Sequence, residues 1–403
     1  MKELYRVPRL RFPEFEGNWK EQRLKSLFSV FRSGNSITSN SIYETGKYPV
    51  YGGNGLRGYT DNYTHSGFYL LVGRQGALCG NINRSVGKAF ISEHAIAGKA
   101  DKNSDTEWLA QKLDYLNLNR LSESSAQPGL SVTKLLRLKL TVPQLSEQQK
   151  IASFLSSVDK KIDQLQQKKS LLEQYKKGVM QQLFSQELRF KDENGDNYPI
   201  WEKKKYKEIY TFYSTNSLSR DKLNYENGEV QNIHYGDIHT KFSTLFDIEK
   251  ELVPFVNYDV NIDNIKTDNY LKKGDLLIAD ASEDYKDIGK TIEVVNLANK
   301  KVISGLHTFH ARPNKFKMAV GFAGFMLQTW YVRKQVMKIA QGTKVLGLAT
   351  GRLGEIKLNI PCIEEQTKIA NFLSAIDKKI ESVNAQIETT QEFKKGLLQQ
   401  MFV

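Results

Sequence analysis

The sequence predicts an α+β protein. Two globular segments of mixed α/β character alternate with two long helices that pack as an antiparallel coiled coil, and the whole forms a pseudo-two-fold internal repeat. Three observations predict this. Residues 142–185 and 360–403 align without a gap at an offset of 218, and 19 of the 44 positions are identical. In both stretches the apolar positions advance in alternating steps of four and three, as a coiled-coil seam requires. The regions between them carry short apolar runs bounded by Gly and Asp, the mark of strands.

The helices come first. One seam runs through Ile151, Leu155, Val158, Ile162 and Leu165, then Leu172, Val179 and Leu183. The other runs through Ile369, Leu373, Ile376, Ile380, Val383 and Ile387, then Leu397 and Met401. Pro143 and Pro361 stop the preceding strands, and Glu147-Gln148 and Glu365-Gln366 occupy the first turns, where a carboxylate suits the helix dipole. A helix of about 38 residues is about 57 Å long. Two such helices, antiparallel, would hold the globular segments one or two turns of B-DNA apart, the spacing at which half-sites face the same side. A helical hairpin with no measuring role is the alternative. Gly178 and Gly396 follow Lys176-Lys177 and Lys394-Lys395 at equivalent places. Glycine inside a helix costs roughly 1 kcal/mol against alanine, so both are expected to admit another backbone closely, unless they are simply inherited from the duplication.

The repeat continues into the globular segments. Leu10-Arg11-Phe12 and Trp19 open one, and Leu188-Arg189-Phe190 and Trp201 open the other; residues 129–143 lie over 347–361 at the same offset. The expected division is 1–145 and 186–362 for the segments, with 146–185 and 363–403 for the helices. Tyr48–Tyr51, Phe68–Val72 and Leu276–Ala279 read as strands. Glu107–Leu121 and Phe316–Ala340 read as helices. The second segment is longer, so the two folds should be related without matching throughout.

The formal charge of +13 and pI near 9.3 favour a polyanionic partner. The two cysteines, Cys79 and Cys362, are not repeat-equivalent and suggest no disulfide framework or zinc cluster, which fits a reducing cytoplasm. The opening residues lack the apolar core of a signal peptide. The longest apolar stretch, Met318–Leu327, is too short to span a bilayer.

Several motifs could carry chemistry. Gly53-Asn54-Gly55-Leu56-Arg57-Gly58 fits GxGxxG, but a polar turn-like run follows it instead of an amphipathic helix, so a dinucleotide site is rejected. A Gly-Asn-Gly loop with Arg57 between Tyr51 and Tyr59 suits contact with nucleic acid; a plain hairpin turn is the alternative. Arg74 and Gln75, between Gly73 and Gly76, have the side chains that grip guanine and adenine edges. Asp275, Asp284 and Lys286 loosely suggest a Mg-dependent nuclease. His234, His239, His307 and His310 could ligate zinc on paper, although no spacing completes a site; Tyr235, Asp237 and Lys241 add polar character nearby. There is no Walker-A loop, no Asn-Pro-Pro-Tyr-type sequence and no S-adenosylmethionine loop.

The helix starts Pro143…Glu147-Gln148-Gln149-Lys150-Ile151-Ala152 and Pro361…Glu365-Gln366-Thr367-Lys368-Ile369-Ala370 resemble the specificity (S) subunits of type I restriction–modification enzymes. So do Asp159-Lys160-Lys161-Ile162, Asp377-Lys378-Lys379-Ile380 and the Lys-Lys-Gly…Gln-Gln-x-Phe ends. The run Tyr48 to Gly55, Gly73-Arg74-Gln75-Gly76 and Glu93-His94-Ala95 resemble one variant of the family's first recognition domain. The resemblance implies two target-recognition domains, each reading half of a split, asymmetric DNA site, with the helices as spacer and as seat for two methylation subunits. Those subunits would carry S-adenosylmethionine and methylate adenine N6. Motor-nuclease subunits using ATP and Mg would join to cut. This chain would itself bind no cofactor or metal, catalyse nothing and touch no membrane.

On this reading the DNA-contact candidates in the first segment are Tyr51, Asn54, Arg57, Tyr59, Arg74, Gln75, Arg84 and His94. In the second they are His234, Tyr235, His239, Lys241, Lys286, His307 and Lys344. The seam residues with Gly178 and Gly396 are the packing candidates. The second segment has no Gly-Asn-Gly counterpart, so contact positions are not expected to transfer between segments. The rival is a self-contained Mg-dependent endonuclease built on Asp275, Asp284 and Lys286. A helical scaffold that ignores DNA is a third option. Exposed apolar helix faces would make the chain poorly soluble alone.

Overall fold

The computed structural model describes residues 7–76, 78–122, 128–314 and 318–402. They form two compact units, one of residues 1–167 with 384–403 and one of residues 168–383. Each unit therefore combines a globular segment with the start of one long helix and the end of the other. The sequence division treats the helices as separate bodies. The structure distributes them because their seams are part of the two cores.

The long helices are Leu145–Ser185 and Ile363–Met401, 41 and 39 residues. In the first unit Ile151, Leu155, Val158 and Ile162 share a core with Leu397, Met401, Trp19, Trp108 and the strand residues Leu70 and Val72. In the second, Val179 and Leu183 share a core with Ile369, Leu373, Ile376, Trp201, Phe322 and Leu276, and Ile380 packs against it. Leu165, Val383 and Ile387 are buried as well; only Leu172 and Ile380 of the seam are partly exposed. The seam is thus largely covered within the chain, while Leu171, Tyr175 and Phe393 of the same helices stay exposed.

Within the first unit the helix pair runs antiparallel. Arg11 grips Glu147 while the neighbouring Leu10 amide donates to the Gln400 carbonyl, and farther along both helices Asp159 meets Lys394 at 2.6 Å. In the second unit Lys176 meets Asp377 at 2.5 Å. These are one ion pair built twice, because Asp159 and Asp377 are repeat-equivalent, as are Lys176 and Lys394. Among the described residues of this chain no other backbone approaches the glycines beside those lysines. A Cβ placed on Gly178 or Gly396 would meet nothing within 4 Å outside its own helix. The buried seam positions belong to Val179 and Leu397, which turns the glycines away from the core.

The two globular segments share a plan. In the first, strands 28–33, 95–100, 69–73 and 82–85 form an antiparallel sheet in that order. In the second, strands 210–213, 308–313, 276–279 and 291–296 repeat the order, and Leu245–Asp247 adds a parallel edge strand. Each segment also has a parallel pair in its second sheet, Tyr48–Gly52 with Lys88–Ile91 and Val230–Ile233 with Lys301–Ser304. Each closes with a short antiparallel pair at the mouth of its helix, Lys20–Arg23 with Lys139–Val142 and Glu202–Lys205 with Lys357–Ile360.

The strand expectations hold to within a residue or so. The helix expectations need correction. Thr106–Tyr115 is helical, but Asn117 at φ 49° breaks it before a 3-10 turn at Leu118–Leu121. Residues 315–317, where the Phe316–Ala340 helix was placed to begin, lie outside the described residues, as does residue 403. The remainder splits into Phe322–Leu327 and Trp330–Ile339, because Thr329 adopts an extended backbone and caps the second piece. No helix of the described residues is long and apolar enough to cross a membrane.

Candidate nucleic-acid interface

Each segment is fastened to its helix by the same buried clamp. Arg11 donates two hydrogen bonds to the Glu147 carboxylate, both 2.7 Å, and Trp19 Nε1 donates a third at 3.2 Å. Arg189 donates two to Glu365 at 3.0 and 2.7 Å, and Trp201 Nε1 a third at 2.9 Å. Both glutamates are fully buried, where an unpaired carboxylate would be very costly. The remaining N–H groups of each arginine reach main-chain carbonyls, Glu16 and Gly17 in one case and Tyr198 and Pro199 in the other. Beside each glutamate a buried glutamine donates to the carbonyl of the proline that precedes the helix and accepts from a main-chain amide of the segment. These are Gln148 with Pro143 and Asp105, and Gln366 with Pro361 and Ala319. The sequence showed the repeated tryptophan, arginine and Glu-Gln pair without showing that they meet. Their recurrence at the start of both halves was the available signal.

In the first segment the motifs singled out from the sequence converge. Tyr48–Gly52 and Gly55–Thr60 form a hairpin whose turn is Gly53-Asn54, with Gly55 at φ +94°. The GxGxxG pattern is therefore a hairpin tip. A Cβ on Gly53 would lie 2.9 Å from the His94 carbonyl oxygen, and one on Gly73 would lie 2.5 Å from the Gly53 carbonyl oxygen. Only glycine lets the three chain segments come this close. The main chain of Arg74 is held on both sides, its amide donating to His94 O and its carbonyl accepting from Leu130 N, both at 2.9 Å. His94 Nδ1 lies 3.1 Å from Gln75 Oε1, and Glu93 Oε1 lies 3.6 Å from His94 Nε2. Asn54, Arg57 and Gln75 are exposed, and Tyr51, Tyr59, Arg74 and His94 are partly so.

The second segment builds the same place from different residues. The Asp280 amide donates to His307 O, and the Asp280 carbonyl accepts from Leu348 N. Leu348 is repeat-equivalent to Leu130, and His307, like His94, immediately precedes a sheet strand. Asp280 thus stands where Arg74 stands, and Ala281, paired to Gly347, stands where Gln75 is bridged to Gly129. The hairpin tip is replaced by His234 and Tyr235 after strand 230–233. The backbone positions of these turns therefore correspond between the segments; topology reveals this where the missing Gly-Asn-Gly motif concealed it.

Tyr235 is ringed by three histidines, with centroid distances of 4.6 Å to His234, 5.8 Å to His239 and 5.2 Å to His307. His234 Nδ1 accepts from Gly236 N, and His239 Nε2 is 2.9 Å from Ala281 O. His307 is exposed, sits at φ +55° and places Nδ1 3.2 Å from Asp280 Oδ1. Burial holds the Asp280 carboxyl above its usual range, against the pull of His307. Burial also lowers His234, and Arg220 adds to this. The buried Asp237 carboxylate is met by two cations, Arg220 at 2.8 Å and Lys241 at 3.0 Å. This gathers four rings at Tyr235 beside the Arg220–Asp237–Lys241 ion cluster.

The model of the type I restriction modification DNA specificity domain matches residues 16–174 and 200–391. The chain belongs to that family. It is 40% identical over 159 residues to the EcoprrI specificity subunit of Escherichia coli, covering 38% of this chain and 39% of that subunit. It is 26% identical over 276 residues to the putative MjaX specificity subunit of Methanocaldococcus jannaschii, covering 68% of this chain and 60% of that one. The chain thus matches less than two thirds of the length of either relative. The fold resembles the crystal structure of a type I S subunit from M. genitalium, with TM-score 0.66 and 17% identity over 98% of this chain and 99% of that one.

The two matched regions coincide with the two halves of the repeat; the remaining candidate residues scatter. Arg84 is committed to Glu107, at 2.7 Å, in a network that continues through Gln111 to Asp159 of the long helix. Lys286 and Lys344 are exposed on loops. His310 does not join the histidine ring; it is buried against Asp275 at 2.7 Å. Nothing in the comparisons supports the endonuclease. Asp275 is fully buried and shared by Arg312, His310 and the Lys272 amide, while exposed Asp284 accepts from the Lys286 amide in its own turn. Among the described residues no three His, Cys, Asp or Glu side chains converge as a metal site.

Proposed function

We propose that this chain is the DNA address of a type I restriction–modification complex. Each segment reads one half of a bipartite, asymmetric site, and partner subunits perform adenine-N6 methylation or cutting. The observation that carries this reading is the clamp built twice beneath two segments whose exposed faces differ. One frame presents two different readers, as an asymmetric split site requires. The chain itself is non-catalytic and cytoplasmic and holds no cofactor; S-adenosylmethionine, ATP and Mg belong to its partners.

Two methylation subunits bind, with motor-nuclease subunits joining the full complex. In support, each unit offers an equivalent groove beside its helix pair. Lys176, Lys177, Met180 and Gln181 line one, and Lys394, Lys395, Leu398 and Gln399 line the other. The equivalent aromatics Tyr175 and Phe393 are both exposed on these helices.

The test is modification-aware sequencing of DNA from cells carrying the chain with its methylation subunit. The expected result is a gapped motif with N6-methyladenine in both halves. A methylome identical to that of cells lacking the chain, with the methylation subunit active on another specificity subunit, would reject the proposal. In binding assays Arg74→Ala should weaken one half-site about tenfold, within the range for a lost base contact. Equal loss on unrelated DNA would instead assign Arg74 to phosphate.

A further inference from the structure

The equivalence between the segments has a chemical content. His94 and His307 occupy the same place, each preceding the same strand, and each aims Nδ1 at a polar side chain on the neighbouring turn. The partner is Gln75 in one case and Asp280 in the other. We infer that this histidine positions the base-reading side chain in both segments, and that its partner sets opposite hydrogen-bond polarity in the two halves. Gln75 presents donors and reads guanine; Asp280 presents an acceptor and reads a base with an exocyclic amino group. The inference rests on the DNA-reading proposal above.

A glutamine that grips adenine needs both ends of its amide, the oxygen accepting from N6 and the nitrogen donating to N7. Here the oxygen is engaged by His94. A carbonyl oxygen only accepts, so this contact requires the hydrogen on His94 Nδ1. The amide is turned with its NH2 group outward. An outward pair of donors fits the acceptor edge of guanine, O6 and N7, and faces a donor at the adenine amino group. The backbone beneath is held by the glycine contacts at Gly53 and Gly73 and by the bonds on Arg74, so the amide cannot follow a mismatched base at low cost.

Asp280 has no donor when ionised. His307 engages one of its oxygens and leaves the other for cytosine N4 or adenine N6. The left-handed backbone of His307, unusual for a residue other than glycine, is the sort of local strain that persists where a side chain must be aimed.

The experiment is the methylome of cells carrying the chain with its methylation subunit, repeated for Gln75→Ala, Asp280→Ala, His94→Ala and His94→Asn. Gln75→Ala should lose discrimination about tenfold or more at one position, guanine in the parent motif. Asp280→Ala should do so at one position of the other half, cytosine or adenine in the parent motif on the strand contacted. His94→Ala should relax the same position as Gln75→Ala and leave the rest of the motif intact. His94→Asn, whose amide can still donate to Gln75, should restore part of the discrimination.

The inference is overturned if the position relaxed by Gln75→Ala is adenine in the parent motif, if that variant relaxes no position, or if both variants relax the same half. It is also overturned if His94→Ala weakens every position of its half evenly, the mark of a merely structural role. Gln75 is exposed, so its variant tests the base identity even if the histidine variants fold poorly. A parent chain that yields no motif at all rejects the DNA-reading proposal itself.

Discussion

Glu365→Ala should cost the second unit about 3–5 kcal/mol, and Glu147→Ala should cost the first unit the same, the range for removing one partner of a buried ion pair. Each glutamate is fully buried and takes two bonds from an arginine and one from a tryptophan. Its removal leaves a guanidinium and an indole N–H without their acceptor at the point where the segment meets the helix. Glutamine at the same position keeps an oxygen for the indole but gives up the charge, so Glu147→Gln and Glu365→Gln should lose less. Hydrogen exchange followed separately in residues 1–167 and 168–383 is the measurement. Each variant should raise exchange in its own unit. A loss below about 1 kcal/mol would place the clamp among ordinary surface ion pairs.

Asp275→Ala should be comparably severe, again about 3–5 kcal/mol. It strands Arg312 and His310, which now share one carboxylate inside the second unit. Burial alone would raise this carboxyl, but the hydrogen bonds from Arg312 and His310 hold it below its ordinary 3.8. A carboxyl held lower in the folded than in the unfolded chain contributes stability that is complete above its ordinary value. That stability is lost as pH falls through the folded value. The parent chain should therefore weaken below about pH 4, and Asp275→Ala should remove this part of the acid dependence. The same residue separates the rival reading. The purified chain should leave DNA intact in Mg²⁺ with or without the substitution; Mg-dependent cutting by the parent, abolished in Asp275→Ala, would revive the endonuclease.

The helices were legible because their signal is local and strong. A seam such as Ile151, Leu155, Val158 and Ile162 carries its period in the sequence, and the duplication supplied a second reading. The pairing of Asp159 with Lys394 was not legible, although both motifs were noted, because periodicity does not say which groups meet across a seam. Nor was it legible which way Gly178 and Gly396 face, because a position inside a helix does not disclose its direction. In the first segment Asn54, Gln75 and His94 were each singled out and are brought together. In the second, Asp280 was passed over. No tetrapeptide marks it, and its place follows only from strand order and from the bonds that fix Leu130 and Leu348 to equivalent turns. The long helix expected at Phe316–Ala340 broke at Thr329 because apolar content outweighed an extended-backbone cap in the reading.

The glutamines beside the two clamps ask very little of what is joined to them. Gln148 takes the main-chain amide of Asp105, and Gln366 takes that of Ala319. Any non-proline residue supplies such a group. Apart from the glutamate, the arginines likewise reach only main-chain carbonyls, and the tryptophan follows its motif after seven residues in one half and eleven in the other. The clamp at the head of each helix thus asks a segment only for an arginine, a tryptophan and one free amide. What else a foreign segment must bring is an apolar face for the helix seam, as Leu70, Val72 and Trp108 do in the first unit and Leu276 and Phe322 in the second, and with that a new address is acquired without redesigning the clamp.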